Sequence, residues 1–405
     1  MEEGRSGAMK TIGIGMLGAG FIGQMHSLAF GAVHGAKREP HLKARLVALA
    51  DTDQALAETI QRRYEWETVA SDWRVAIEHP GIEVFINSGP NDAHAEPTIL
   101  AAVRGKQLFS EKPLGRNADE AYSMWAAAEH AGVKHMCAFV HRFVPALQLM
   151  RSMIAAGEIG RIRHFRSNFL IDMQHPDGSL SWRYSGARAG GGATGDLGSH
   201  HVDQARFLVG EVRRVHAMVR SWSRDTKGVI RDVNDDWFVA GAELDNGVTA
   251  SFEASRVTEG HSLTGRIEVD GTKGTLRWEM ERLSELHLSE PARGTRRIMT
   301  VAPDHPYSDF WLPVGIQGSF AIGWRDCFFH QAHHMLAAVS GGSVGPVGAT
   351  FEDGYQVAEI VDAIIRSGQS GRIEEVVFRS APGRQFSVEA KAARIGGIEH
   401  GPVSY

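Results

Sequence analysis

The chain has 405 residues, 43 % of them hydrophobic and 22 % charged, with a formal net charge of -5; this suits two globular domains and, with no dense Lys/Arg block, argues against a general nucleic-acid binder. Cys137 and Cys327 are the only cysteines and form no CxxC pair, which excludes a zinc ribbon or redox dithiol and points to a reducing compartment. No apolar run approaches the ~18 residues of a membrane span, and the polar start MEEGRSGAMK, with Met9 a second possible start, lacks the apolar core of a signal peptide, so a cytoplasmic protein without membrane partners is expected.

Thr11–Leu17 is a short apolar run with strand character. It leads into Gly18-Ala19-Gly20-Phe21-Ile22-Gly23 and then an apolar helix through Leu28 and Phe30. Strand, GxGxxG turn and helix in that order are the setting a dinucleotide requires. Gly18 makes the turn, Gly20 admits the pyrophosphate, and Gly23 lets helix and strand pack closely. The helix start, with Phe21 and Ile22, faces the phosphates. The second strand, Ala44–Ala50, closes on Asp51. An acidic residue there can accept from both adenosine ribose hydroxyls and repels a 2′-phosphate, so NAD is expected over NADP; a turn aspartate in ADTD is the alternative.

The alternation continues with helices over Gln54–Tyr64 and Trp73–Glu78 and a strand over Gly81–Asn87 that ends in Ser88-Gly89-Pro90-Asn91. Next come a helix over His94–Gly105 and a strand over Gln107–Ser110 that runs into Glu111-Lys112-Pro113. A helix over Ala118–Ala131 and a strand over Val133–Phe139 follow. This order predicts an α/β Rossmann domain, a doubly wound parallel sheet, over residues 9–138. Ligands bind at the carboxyl ends of such strands, where the glycine turn, Asp51, Ser88–Asn91 and Glu111–Pro113 all fall. Lys112 would lie by a nicotinamide, partly desolvated and suited to share in proton transfer; a solvated strand-end lysine is the bland alternative.

Residues 139–390 read as an α+β domain with a large open, mainly antiparallel sheet. Arg142–Gly157 has helical spacing. Arg161–Ile171, Trp237–Ala242, Val248–Ala254, Thr264–Val269 and Gly274–Trp278 read as strands, with tight turns at Asp245-Asn246-Gly247 and Asp270-Gly271-Thr272. Between them lies GGGATGDLGSHHVD, Gly190–Asp203. Its glycines allow the chain to pass close to a ligand, and a helix follows, with Gly210 a plausible C-cap. If that helix starts near Asp196, a carboxylate and the His200 imidazole sit one turn apart, an arrangement that orients a proton-transferring ring and raises its proton affinity. Asp at a helix start is most often an N-cap, and that is the alternative for Asp196. Helices are also read over His330–Val339 and Glu359–Arg366. His330 and His334 lie one turn apart in HQAHH and could mimic a metal pair, but the aromatic-rich neighbours suggest a surface or pocket-wall role, and no metal is expected.

Three separated motifs, GAGFIG, EKP and GGGATGDLGSHHVD, together resemble the Gfo/Idh/MocA family of NAD(P)-dependent sugar and cyclitol oxidoreductases. Ser88–His94 resembles the family's TPNxxH stretch, and the similarity runs from about residue 11 to about residue 380. The resemblance implies that Ser88, Pro90, Asn91, His94 and Glu111 border the cofactor, and that Lys112 contacts the nicotinamide ribose and the reacting hydroxyl. It implies His200 as general acid/base and Asp196 as its orienting group or a substrate contact. Less directly, it implies that Arg142 in HRFVP and the pair Trp182-Arg183 lie near the substrate. His305–Trp324, rich in aromatic residues, resembles a loop of the family's pyranose-acting subset. A sugar (pyranose, anhydrosugar or glycoside) or cyclitol dehydrogenase, working as a homodimer or homotetramer, is the expectation. An NAD-dependent glycosidase with no net redox change and a non-catalytic sugar sensor are the alternatives.

Overall fold

The computed structural model describes residues 9–35, 41–173, 181–223, 234–300 and 321–382. The aromatic loop expected over His305–Trp324 therefore lies outside the described residues except at its end. In the first half, β1 (Lys10–Leu17), α1 (Phe21–Ala32), β2 (Leu42–Ala50), α2 (Gln54–Tyr64), β3 (Thr68–Ala70) and α3 (Trp73–Glu78) are followed by β4 (Val84–Asn87), α4 (Ala95–Val103), β5 (Gln107–Ser110), α5 (Ala118–Ala131) and β6 (His135–Cys137). The strands form one six-stranded parallel sheet in the order β3-β2-β1-β4-β5-β6. Ile12, Ile14 and Met16 of β1 and Val84 of β4 are wholly buried, as a sheet with helices on both faces requires. The chain reverses direction across the sheet between β1 and β4, which opens a crevice at their carboxyl ends.

The second half contains α6 (Pro145–Ala155), β7 (Ile162–Leu170), α7 (Gly186–Ala189), α8 (Ser199–Leu208), β8 (Val212–Arg220), β9 (Trp237–Leu244), β10 (Thr249–Ser255) and β11 (Thr264–Gly271). It continues with β12 (Thr275–Glu279), β13 (Glu285–Glu290), β14 (Gly294–Met299), α9 (Trp324–Val339), α10 (Phe351–Ser370) and β15 (Glu374–Glu375). A nine-stranded sheet has the order β14-β13-β12-β11-β7-β10-β9-β8-β15; β7 and β10 run parallel and the other neighbours antiparallel. Phe165 and Phe169 of β7, with Phe238 of β9, fill the helix-covered face, while Arg166 points to the other side, the alternation of a sheet with one covered face.

The expected fold class holds, with local differences. The helix read over Arg142–Gly157 is two pieces, a 3₁₀ turn at Val140–Phe143 and then α6 from Pro145. Proline lacks an N–H, suits a first helical turn, and forces the preceding residue out of the helical region; Val144 is indeed extended, with φ -74° and ψ 120°. The two last long helices return to the first half. The Phe21 and Trp324 rings stack with centroids 6.3 Å apart, Phe328 packs on His26, and Tyr355 of α10 stacks on Trp125 of α5.

Candidate active site

The glycine turn is built as its sequence requires. Gly18 has φ +100°, and a Cβ there would come within 2.5 Å of the Ser88 carbonyl oxygen; a Cβ on Gly23 would come within 2.0 Å of the Gly18 carbonyl oxygen. Gly20 differs, since a Cβ there would meet nothing within 4 Å. Its glycine leaves space over the turn rather than relieving a clash within the protein. No side chain caps the first turn of α1, so its N–H groups are available to an anion. Asp51 sits at the end of β2, where Oδ2 accepts from the Ala19 N–H at 2.7 Å and Oδ1 from the Asp53 N–H at 2.9 Å. Each oxygen retains acceptor capacity for a hydroxyl. An uncapped helix start, open space over Gly20 and an oriented carboxylate together fit a dinucleotide.

The other residues expected beside the cofactor have side chains committed within the protein. The Ser88 hydroxyl lies 2.8 Å from the Leu17 carbonyl oxygen and 3.0 Å from that of Gly18, bracing the turn. Pro90 precedes a 3₁₀ turn at Asn91–Ala93, and Asn91 donates to the Ala189 carbonyl at 2.8 Å, joining the two halves of the chain. His94 is fully buried between the carbonyls of Gly89 and Pro113, at 3.1 and 3.0 Å, and burial lowers its proton affinity. Glu111 accepts from His26 Nε2 at 2.8 Å and from the Lys112 N–H at 3.0 Å. These side chains hold the backbone around the glycine turn and Lys112.

Lys112 and the Gly190–Asp203 stretch meet across the two halves. The Lys112 ammonium donates to Asp196 Oδ1 at 2.6 Å and to the Asp196 carbonyl at 2.9 Å. Arg183 Nε lies 3.8 Å from Asp196 Oδ2, and its guanidinium lies over the Trp182 ring, 4.6 Å from the centroid. Burial works to raise the Asp196 carboxyl's pKa, but Lys112 and Arg183 outweigh it and the net shift is downward. Asp196 is thus neither an N-cap nor the orienting partner of His200. Thr194–Gly198 forms a π-helical turn ahead of α8, and that wider winding breaks the simple one-turn relation that the spacing of Asp196 and His200 suggests.

His200 is buried, and its Nδ1 has no hydrogen-bond partner. Its ring stacks on that of His141, centroids 4.3 Å apart and planes 27° apart. Burial, then His141, Lys112 and His201, push its pKa well below the ordinary histidine value. The expected rise in proton affinity is therefore reversed, chiefly by burial, and the carboxylate expected to cause the rise is bonded to Lys112 instead. His141 Nδ1 is bonded to Gln204 Nε2 at 2.8 Å, and burial with Lys112 and His201 takes its pKa down to about 3.

Arg142, expected near substrate, is buried with its guanidinium forked onto Asp203 (Nε to both oxygens at 3.0 Å, Nη2 at 2.6 Å) and reaching Asp353 at 3.2 Å. Burial alone would lower its pKa; the carboxylates of Asp203 and Asp353 more than reverse that and keep it charged. Its role is to tie the 3₁₀ turn to α8 and α10. The glycines of the run, expected to approach a ligand, instead approach backbone: a Cβ on Gly190 would lie 2.2 Å from the Arg116 carbonyl oxygen, and one on Gly192 1.8 Å from that of Asp235. Asp235 holds the run by accepting from the Gly192 and Thr194 N–H groups and the Thr194 hydroxyl, each at 2.7 Å. Sequence reasoning missed Asp235, His141 and Gln204; the one available signal was NDDW directly before a strand. His330 and His334 face the carbonyls of Phe143 and Val344. Among the described residues no group of three His, Cys, Asp or Glu side chains could hold a metal, and no helix is long and apolar enough to cross a membrane.

A Rossmann sheet with an open glycine turn, and a lysine, carboxylate and histidine cluster supplied jointly with a second sheet domain, define a dinucleotide-dependent oxidoreductase. The chain belongs to the Gfo/Idh/MocA family: residues 12–139 match its NAD-binding Rossmann-fold model and residues 147–277 its C-terminal domain model. It is 37 % identical over 385 residues to levoglucosan dehydrogenase of Pseudarthrobacter phenanthrenivorans, covering 89 % of this chain and 96 % of that one. It is 28 % identical to inositol 2-dehydrogenase of Rhizobium meliloti, covering 88 % and 97 %. Solved structures of levoglucosan dehydrogenase with NADH, and with NADH and levoglucosan, superpose with a TM-score of 0.85 at 35 % identity, covering 91 % of this chain and 100 % of theirs.

The buried pairs and rings set measurable stability terms. Replacing Arg142 by Met leaves the buried Asp203 carboxylate facing an apolar chain, while Asp353 keeps Arg206, and is expected to cost about 3–5 kcal/mol in urea denaturation. His141 and His201 each have a pKa near 3 in the folded protein against 6.5 ordinarily, burial being the main cause in both. Above the ordinary value they contribute no pH dependence. Below it the unfolded chain takes up protons that the folded chain refuses, so stability falls as pH drops toward the folded value, by roughly 2 kcal/mol per ring at about pH 5. The His141→Phe variant should lose less stability over that range than the parent.

Proposed function

We propose that the protein is an NAD-dependent dehydrogenase that oxidises one hydroxyl of a pyranose-like sugar or anhydrosugar, levoglucosan being the first candidate, with Lys112, Asp196 and His200 managing the proton. The observation that carries this is the 2.6 Å bond of Lys112, from the carboxyl edge of the Rossmann sheet, to Asp196 of the second domain, with Lys112 also acting electrostatically on buried His200. When bound, the nicotinamide supplies the carbon that accepts the hydride. Lys112, fixed by Asp196, donates a hydrogen bond to the reacting oxygen and stabilises the negative charge that grows there. Neutral His200 takes the hydroxyl proton; its low proton affinity favours passing that proton on. Arg183 and Trp182 border the same space, the cation for hydroxyl groups and the ring for a sugar's C–H face. The similarity to levoglucosan dehydrogenase, higher than that to inositol 2-dehydrogenase, favours a pyranose frame over a cyclitol. The outer face of the nine-stranded sheet, with Arg166, Glu253 and Glu268, is the surface for subunit contact in a homodimer or homotetramer.

The test is a panel of levoglucosan, monosaccharides, glycosides and inositols with NAD, followed by NADH absorbance. Accumulating NADH with an anhydrosugar or pyranose supports the reading. Glycoside cleavage without net NADH, or sugar binding without turnover, overturns it. Lys112→Met and His200→Gln should each lower kcat by roughly 10²–10⁴-fold while NADH still binds, as read by its fluorescence. If Asp51 binds the adenosine ribose, Asp51→Ser should raise the KM for NAD and narrow the preference over NADP, measured by paired kinetics with the two cofactors.

A further inference from the structure

His200 lacks the partner that a proton-transferring histidine ordinarily has. No carboxylate or carbonyl meets its Nδ1, which is buried and unpaired, and Asp196 is turned to Lys112. Its plane is set by rings. His141 stacks on one face at 4.3 Å, and Phe139 and Phe169 stand at 6.2 and 6.0 Å. His141 in turn is gripped twice by α8. His200 and Gln204, one turn apart on that helix, supply a stacking face and a hydrogen bond to Nδ1. An amide nitrogen can only donate, so His141 Nδ1 accepts and the proton of the neutral ring sits on Nε2.

We propose that His141 is the positioning residue of His200, replacing the usual carboxylate with a neutral, tautomer-fixed imidazole that holds the ring plane and keeps its partner uncharged. This rests on the reading of His200 as proton acceptor. Two imidazoles in van der Waals contact in a buried site cannot both carry a charge without severe repulsion, so the stack holds at most one proton. Every charged or titratable group that acts on His200 from the packed elements points the same way. Lys112 from the β5 edge, His141 from the 3₁₀ turn and His201 from α8 itself all disfavour its protonation, while Asp196 is neutralised by Lys112 and Arg183. A carboxylate partner would do the reverse, binding the accepted proton tightly and leaving a cation beside Lys112.

The experiment compares His141→Phe, His141→Ala and His141→Asp with the parent enzyme. Each is checked for folding by its melting transition and NADH binding, then followed by kinetics against pH and by ¹⁵N NMR of histidine-labelled protein, with His200 assigned by its loss in His200→Gln. His141→Phe keeps a ring face and should retain most of kcat. His141→Ala loses it, and kcat should fall by about 10²-fold with little change in KM. His141→Asp places a carboxylate against His200 and should move both the acidic limb of kcat/KM and the His200 nitrogen titration upward by about 1–3 pH units. If Ala and Asp leave kcat, the acidic limb and the nitrogen shifts as in the parent, the proposal is wrong. If the Asp variant moves the His200 titration but no sugar is oxidised by the parent, His141 does position His200 and the dehydrogenase reading is what fails. If the Asp variant does not fold, equal kcat in the Phe and Ala variants overturns the stack, and loss in Ala alone upholds it.

Discussion

The bond between Lys112 and Asp196 is the constraint on which the rest of the site depends. It joins the edge of one sheet domain to a helix start in the other, with the ammonium held by both the carboxylate and the main-chain carbonyl of the same residue. A lysine carries a flexible four-carbon stem; two acceptors on one residue fix where its charge ends. Since Asp196 sits in a π-helical turn, the backbone oxygen and the side chain can face the same ammonium. Everything else in the cluster is arranged around that fixed charge.

The surroundings of the pair are built to hold it still. Asp235 binds the start of the glycine run, Asn91 crosses from the first domain to the Ala189 carbonyl, and Arg142 welds the 3₁₀ turn to α8 and α10. Each is a buried polar group with its partners satisfied, and such groups are costly to disturb and therefore specify one geometry. On the first-domain side, Glu111 and His94 fix the two ends of the Lys112 turn. His26 links Glu111 to α1, the helix that starts at the dinucleotide turn. Cofactor site and lysine are thus connected through a short chain of buried bonds.

What could be read from the sequence were the features whose cause is local. The GAGFIG turn, the strand-ending Asp51 and Glu111–Pro113, and the helices over Gln54–Tyr64 and Ala118–Ala131 follow from glycine geometry, apolar runs and caps, and the structure has them at those places. The meeting of Lys112 with Asp196 was legible only through the motifs' joint resemblance to a family, since no local pattern brings residues 84 positions apart together. Other features were hidden because their cause is tertiary. β8 and β14 were missed: VRRVHAMVR alternates imperfectly, and GTRRIM is an exposed edge with almost nothing to bury. Only the resemblance carried by HRFVP places Arg142 near substrate; nothing local shows that it is buried, because the cause is Asp203, sixty-one positions on. The π turn was invisible because spacing of four implies an α-helix unless the backbone says otherwise.

The misreading of Asp196 bears on the chemistry. Assigning the carboxylate to the histidine makes a charge-relay-like pair with a strongly basic ring. Assigning it to the lysine, as the distances require, leaves the imidazoles without a counter-charge in a buried space. Lys112 and Arg183 against Asp196 give two cations and one carboxylate, one net positive charge; protonating His141 and His200 as well would make that three. An oxidised nicotinamide is itself cationic, and a cluster carrying three positive charges in a low-dielectric space would oppose its approach. Neutral imidazoles remove that opposition and, in the proposed mechanism, still leave one fixed ammonium for the alkoxide-like oxygen of the transition state. On the proposed reading, the low proton affinity of the stacked rings is what allows a cationic nicotinamide ring and a positively charged lysine to share one site.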